Sequence, residues 1–163
     1  MKILGIDPGT ARLGWGIIKD KSGQQTVGDY GCIKTKKTKP DANRLKDLFD
    51  QLIKVIKTNQ PNAIAIEDIF FFKNQKTIIK VSQARGVILL AAETLKIPNF
   101  SYSPLQIKMA VTGYGRADKN QVQQMVKTIL KLKTIPKPDD TADALAVALT
   151  HSFTRKLKEK VRS

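Results

Sequence analysis

Residues 63–66 read Ala-Ile-Ala-Ile, apolar at every position, and Glu67 follows at once. A strand with one wet face alternates apolar and polar residues. A run that is apolar throughout needs cover on both faces, as the central strands of parallel sheets have. The neighbouring sequence can supply that cover. On the N-terminal side, Leu45, Leu48, Phe49, Leu52, Ile53 and Ile56 recur at helical spacing from Asp41 to about Thr58. Asp41 is the expected N-cap of this helix, and Pro61 lies just past its end. On the C-terminal side, Gln75 to Lys96 reads as a long helix that is apolar or small nearly all round. That breadth predicts two buried faces, one on the sheet and one on another subunit.

The remaining chain fills in an α/β pattern. Ile3 to Asp7 reads as a strand ending at the turn Asp-Pro-Gly-Thr. Leu13 to Lys19 and Val27 to Thr35 read as two more strands, linked through Lys21-Ser22-Gly23, so the first three strands form an antiparallel meander. Phe100 to Tyr102 is a last short strand, and Ser103-Pro104 opens a short helix with proline at its first position. Asp118 and Gln121 fit a capping box ahead of a stripe made by Val122, Met125, Val126, Ile129 and Leu130. A helix rich in Ala, Leu and Val runs from Asp139 to about His151, and its small side chains would let its backbone approach the sheet closely. The sum is one α/β domain over residues 1–153 with a five-stranded mixed sheet flanked by helices, and a basic tail over 154–163 expected to fray. A chain of 163 residues suits a single core, and no repeat or internal boundary stands out.

Charge narrows the partner. Lys plus Arg total 29 against 14 Asp plus Glu, a net +15, which favours a polyanion such as nucleic acid or an acidic membrane surface. Lysine far outnumbers arginine, which suits phosphates met as point charges better than bidentate base reading. No apolar run approaches the roughly 20 residues of a transmembrane helix, and the start MKILGID reads as a strand rather than a signal peptide. Cys32 is the one cysteine, so neither an internal disulfide nor a cysteine zinc site can form, and a reducing, cytoplasmic location is expected.

Four carboxylates stand out against this basic background. Asp7 ends the first strand, although taken alone it is equally well a turn residue. Glu67 ends an apolar strand, and the strand ends of open α/β sheets are where ligands bind. Asp140 and Asp143 are three apart on one helix and share a face. Helix capping accounts for Asp139 or Asp140, but Asp143 lies a turn further in, between Ala142 and Ala144, where an unpaired charge would be costly. Brought together, the four would make an all-oxygen cage suited to Mg²⁺ or Mn²⁺ and unsuited to zinc. Two such ions about 3.5–4 Å apart can activate water and stabilise the leaving oxygen of a phosphodiester.

At these residues the chain resembles the RuvC family of Holliday-junction resolvases along nearly its whole length. The carrying segments are ILGIDPGT (3–10) with GWGII (14–18), AIEDIFF (65–71), KN (73–74), QARG (83–86), ADK (117–119), QVQ (121–123) and DDTADALAVALTH (139–151). The resemblance implies an RNase H-like nuclease domain and a homodimer on a four-way DNA junction. Each subunit would nick one of two opposed strands, in partnership with the RuvA–RuvB branch-migration machinery. Asp7, Glu67, Asp140 and Asp143 match the family's catalytic acids. Lys108 and Lys119 match positions of functionally important lysines near DNA. Phe70 falls where the family places an aromatic residue that stacks at the opened junction, although Phe70-Phe71-Phe72 is more aromatic than the usual run.

Other residues invite milder readings. Arg85 is either a DNA contact or an interface ion pair, Gly86 is expected to permit close helix packing, and His151 and Cys32 read as structural. The lysines at 34, 36, 37 and 39 form a solvated cluster able to track phosphates. Three other functions compete with this one. The GIDPGT segment also resembles the first phosphate loop of actin-like and sugar-kinase ATPases, but 163 residues leave no room for their second lobe. A YqgF-type RNA-processing nuclease shares the opening strand but lacks the AIED segment and the QARG helix. A non-catalytic junction-binding protein would leave four acids repelling DNA phosphates.

Overall fold

The computed structural model describes the backbone at residues 1–69 and 75–162, and the side chains at 1–69 and 76–155. Five strands and five helices follow one another as β1 (Lys2–Asp7), β2 (Arg12–Lys21), β3 (Gln24–Lys34), α1 (Asp41–Asn59), β4 (Ala63–Glu67), α2 (Gln75–Thr94), β5 (Asn99–Tyr102), α3 (Pro104–Thr112), α4 (Lys119–Ile129) and α5 (Asp139–Arg162). The sheet order is β3-β2-β1-β4-β5. Strands β1 to β3 pair antiparallel as the meander requires, whereas β4 runs parallel to β1 and β5 parallel to β4. The expected five-stranded mixed sheet is therefore present.

Side chains alternate across a strand, so each strand feeds two cores. Leu4, Ile6, Leu13, Ile17, Ile64 and Ile66 meet Leu48, Leu52 and Ile56 of α1 and Ala84, Ile88, Ala91 and Ala92 of α2. On the opposite face, Ile3, Ile18, Ala65 and Tyr102 meet α3, α4 and the Leu145–Leu149 stretch of α5. Full burial of each large aliphatic residue contributes about 1.5–3 kcal/mol. The wholly apolar β4 is thus covered on both sides.

Three local expectations need correction. Pro40, not Asp41, occupies the N-cap position of α1; it offers no side-chain acceptor, and Asp41 sits in the first turn, where its carboxylate meets Arg44 at 3.6 Å. α5 does not stop near His151 but runs to Arg162, because the Lys, Arg, Leu and Glu of residues 155–162 are strong helix formers even where the apolar pattern has ended. Gly86 has open space where a Cβ would stand, so within this chain it serves no close contact. On α2, Ile79 and Leu90 remain 58% and 60% exposed, so the second apolar face exists but is not covered by the described residues.

Candidate active site

Strand alternation decides where the two strand-end acids point. Ile3 packs on the α5 side of β1 and Gly5 faces α5, so Asp7, two further on, falls on the same face. On β4, Ala65 packs on that side too, which sends Glu67 the same way. Because β1 and β4 are parallel neighbours in register, with Ile6 opposite Ile66, both carboxylates emerge side by side at the sheet's C-terminal edge.

The helical pair reaches the same edge because α5 lies almost on the sheet's backbone. A Cβ added at Gly5 would stand 2.0 Å from the Ala144 carbonyl oxygen, and one at Gly14 would stand 1.9 Å from that of Asp140. Only glycine permits such approach. Gly14 is the cross-strand partner of Asp7, so the contact that seats Asp140 also fixes it against the strand end that carries Asp7. Ala142, Ala144, Ala146 and Ala148 keep the helix low, and all four are buried.

The acids feel one another. Burial pushes the Asp7 carboxyl well above the usual carboxylate range, and the charges of Glu67, Asp143 and Asp140 push it further. Glu67 is raised as well, by burial first, while its hydrogen bond with Asp7 works in the opposite sense. That shared bond raises Asp7 and lowers Glu67, so the two titrate as a pair in which Asp7 is the harder to ionise.

Basic groups hem in the cluster. The Lys119 ammonium lies 2.9 Å from Asp143 and 3.8 Å from Asp139. Burial alone would lower Lys119, but its hydrogen bond to Asp143 and the charges of Asp143, Asp139 and Asp7 outweigh that and hold it above its ordinary value. The Asp118–Gln121 capping box, with both bonds at 2.8 Å, fixes the start of α4 and with it Lys119. Arg12 stands 3.9 Å from Asp140. The buried Gln123 amide donates to Asp143 at 3.4 Å.

A donor set made only of carboxylate oxygens fits a hard divalent cation. Burial and then the neighbouring acids raise Asp7, while the Lys119 ammonium compensates Asp143, so a cation held here would relieve the repulsion that remains. Among the described residues, no group of three or more His, Cys, Asp or Glu already stands in a metal-holding arrangement.

Glu67, Asp143, Lys108 and Lys119 line one cavity of about 210 Å³, floored by Ile107, Val122 and Ala146. Of the sequence-expected residues, Glu67, Asp143 and the two lysines thus share this cavity, and Asp7 and Asp140 stand near enough for their charges to act on one another. Arg85 does not join them; its guanidinium donates to Ser101 Oγ at 2.8 Å and lies 3.4 Å from Asp68, the residue after Glu67. Phe70 lies outside the described residues. His151 is structural, as expected: its Nδ1 lies 2.7 Å from the Tyr102 hydroxyl, and its ring packs 4.5 Å from that of Phe100. Sequence reading missed Arg12 and Gln123 as neighbours of the helical acids. The QVQ segment was in view, but nothing in a capped amphipathic helix says which glutamine turns inward.

The family model for the crossover junction endodeoxyribonuclease RuvC matches residues 3–151. The RuvC of Fusobacterium nucleatum is 51% identical over 151 residues, covering 93% of this chain and 80% of the relative. That of Desulfitobacterium hafniense is 50% identical over 161 residues, covering 99% and 98%. Among solved structures, Thermus thermophilus RuvC in complex with a Holliday junction substrate superposes with a TM-score of 0.92 at 36% identity, over 97% of this chain and 96% of that one. With an RNase H-like sheet, an acid cluster at its C-terminal edge and a match spanning almost every element, the chain belongs to the RuvC family of crossover junction endodeoxyribonucleases.

Proposed function

We propose that this protein resolves four-way DNA junctions by paired nicks, hydrolysing one phosphodiester per subunit with the help of Mg²⁺. The observation that carries the reading is the meeting of Asp7, Glu67, Asp140 and Asp143 at one sheet edge inside an otherwise basic protein. Those four would hold two ions, with Mn²⁺ as a substitute. Bound there, divalent metal would supply an activated water and positive charge for the leaving 3′ oxygen.

The chain's own residues do the rest. Asp7 and Glu67 act as ligands in their ionised forms, which burial and the neighbouring acids oppose and a bound cation would favour. Lys119 must exchange Asp143 for a DNA phosphate, and Lys108, on the same cavity wall, meets a neighbouring one. Gln123 keeps Asp143 oriented during that exchange. We assign Phe70 to stacking at the opened junction, and Arg85 to a DNA contact made when phosphate replaces Asp68.

Residues 1–153 constitute the nuclease domain in this reading, with 154–163 as a basic extension. A homodimer would present two such sites to opposed strands. The exposed Ile79 and Leu90 give α2 an apolar face for that pairing. RuvA–RuvB is the expected partner and the cytoplasm the expected location. No helix among the described residues is long and apolar enough to cross a membrane.

The test is a nicking assay on four-way, three-way and linear duplex DNA, with Mg²⁺ present or withheld. Symmetric, Mg²⁺-dependent cuts confined to the four-way substrate are expected. Equal cutting of linear duplex would replace resolvase with a general nuclease, and equal cutting in EDTA would remove the metal.

A further inference from the structure

The acid cluster has a second flank that the mechanism above does not use. Beside Asp140, and sharing no lining residue with the cavity of Lys108 and Lys119, a groove of about 540 Å³ runs between the turn after β1, the end of β3 and the start of α2. Arg12, Lys34, Lys37 and Lys80 line it, with Asp140 as the sole acid. The hydroxyl-bearing Thr10, Thr35 and Thr77 stand between these cations.

One wall of this groove is also built over a buried charge. Arg44 is 6% exposed, and its Nε donates at 3.0 Å to Thr35 Oγ1. That hydroxyl in turn donates to the Thr10 carbonyl at 2.6 Å, while the Thr35 amide donates to the Ala11 carbonyl at 3.2 Å. Among the described residues the acid paired with Arg44 is Asp41, at 3.6 Å, and that carboxylate is largely in solvent. A guanidinium fixed behind the wall adds positive potential to the groove and locks the turn that follows Asp7.

We propose that this groove is a second phosphate channel, holding the DNA backbone on the side of the scissile bond opposite Lys108 and Lys119. The inference rests on the nuclease reading for the identity of its ligand. Four cations and three hydroxyls match phosphodiester oxygens, and Asp140 at the groove's end joins the channel to the reaction centre. The strand is thereby gripped on both flanks of the acids, one flank by each groove.

Counterion release provides the test. Each phosphate neutralised by a lysine contributes about 0.9 to the slope of log K against log salt. We would compare the triple variant Lys34→Gln/Lys37→Gln/Lys80→Gln with Lys21→Gln/Lys54→Gln/Lys131→Gln, which removes equal charge from exposed sites outside the groove. Affinity for a four-way junction is measured by fluorescence anisotropy in EDTA over a salt series. The groove variant should lose between 2 and 3 in slope, at about 0.9 per contact, and the control less than 1. An unchanged slope in the groove variant, or an equal loss in both, would overturn the channel. Failure of the unsubstituted protein to cut junctions overturns the nuclease reading instead, and the slope comparison remains readable either way.

Discussion

The two faces of the sheet are built on opposite principles. Toward α1 and α2 the sheet presents Leu4, Ile6, Leu13, Ile17, Ile64 and Ile66, and the helices answer with Leu48, Leu52, Ile56 and Ile88. Toward α5, at the end that carries the acids, it presents Gly5 and Gly14, and the helix answers with alanines and its own backbone, although Ile3 and Ile18 share a core with Leu145, Val147 and Leu149 on the same face. The first face stabilises by volume. The second gives up that volume so that short, stiff carboxylates can meet across a helix–sheet contact with almost no slack. A site that must hold several like charges within reach of one cation needs the second kind of packing, and the rest of the fold can use the first.

Changes on the two faces should therefore separate chemistry from stability. The largest loss of chemistry should come from Asp7→Asn, which removes one carboxylate from the centre. Cutting is expected to fall by on the order of 10³-fold or more, since several kcal/mol of charge stabilisation pass through the metal centre. Junction binding, measured by gel shift, should persist. Cutting at the parent rate would remove Asp7 from the proposed site.

Next in size is Gly14→Ala, which adds one methyl group and removes no carboxylate. Its Cβ would collide with the Asp140 carbonyl, so α5 must lift. A displacement of about 1 Å at a reacting centre costs on the order of 10²-fold in rate. Single-turnover nicking at saturating enzyme is the measurement, and a rate within twofold of the parent would show that the contact has slack after all. The matching change on the other face is Leu52→Ala, which empties a fully buried site. It should cost about 2–5 kcal/mol in urea unfolding while the nicking rate of the folded fraction holds. A comparable drop in rate would erase the distinction between the faces.

That distinction was half visible in the sequence. The helical stripe of α1 and the two-sided burial of β4 follow from side-chain pattern alone, so the existence of the aliphatic face was legible, although which strand residues fill it was not. The acids were legible as candidates because Glu67 and Asp143 resist a purely structural explanation. Their meeting was not derivable from spacing, since it depends on how closely α5 approaches Gly14, a contact between residues 126 positions apart. The same holds for Arg12 beside Asp140 and for Arg44 behind Thr35, both products of tertiary packing. Asp41 misled because its type suits an N-cap, whereas the backbone turns into the helix one residue earlier, at Pro40. The end of α5 was missed for the opposite reason: propensity continues where apolar periodicity stops.

The smallest expected effect concerns stability, and it runs against intuition. Asp7 has a folded-state pKa raised above 3.8, chiefly by burial and then by the neighbouring acids. Between those two values the folded protein binds more protons than the unfolded chain, so stability falls as pH rises through that window. At neutral pH in EDTA, Asp7 is thus a burden on the face that sacrifices packing for chemistry, and Asp7→Asn should relieve it. A gain on the order of 1 kcal/mol is expected, as for other stabilising changes at strained active sites. For a chain of this size that corresponds to a melting temperature higher by about 2–4 °C. The variant should also lose part of the parent's decline in melting temperature between acidic and neutral pH. Calorimetry across that range in EDTA makes the comparison. Saturating Mg²⁺ should narrow or reverse the gap, because binding to the folded state stabilises the parent more than the variant. A parent more stable than Asp7→Asn in EDTA at neutral pH would show that Asp7 is adequately compensated within the chain, and the α5 face would no longer be the strained one.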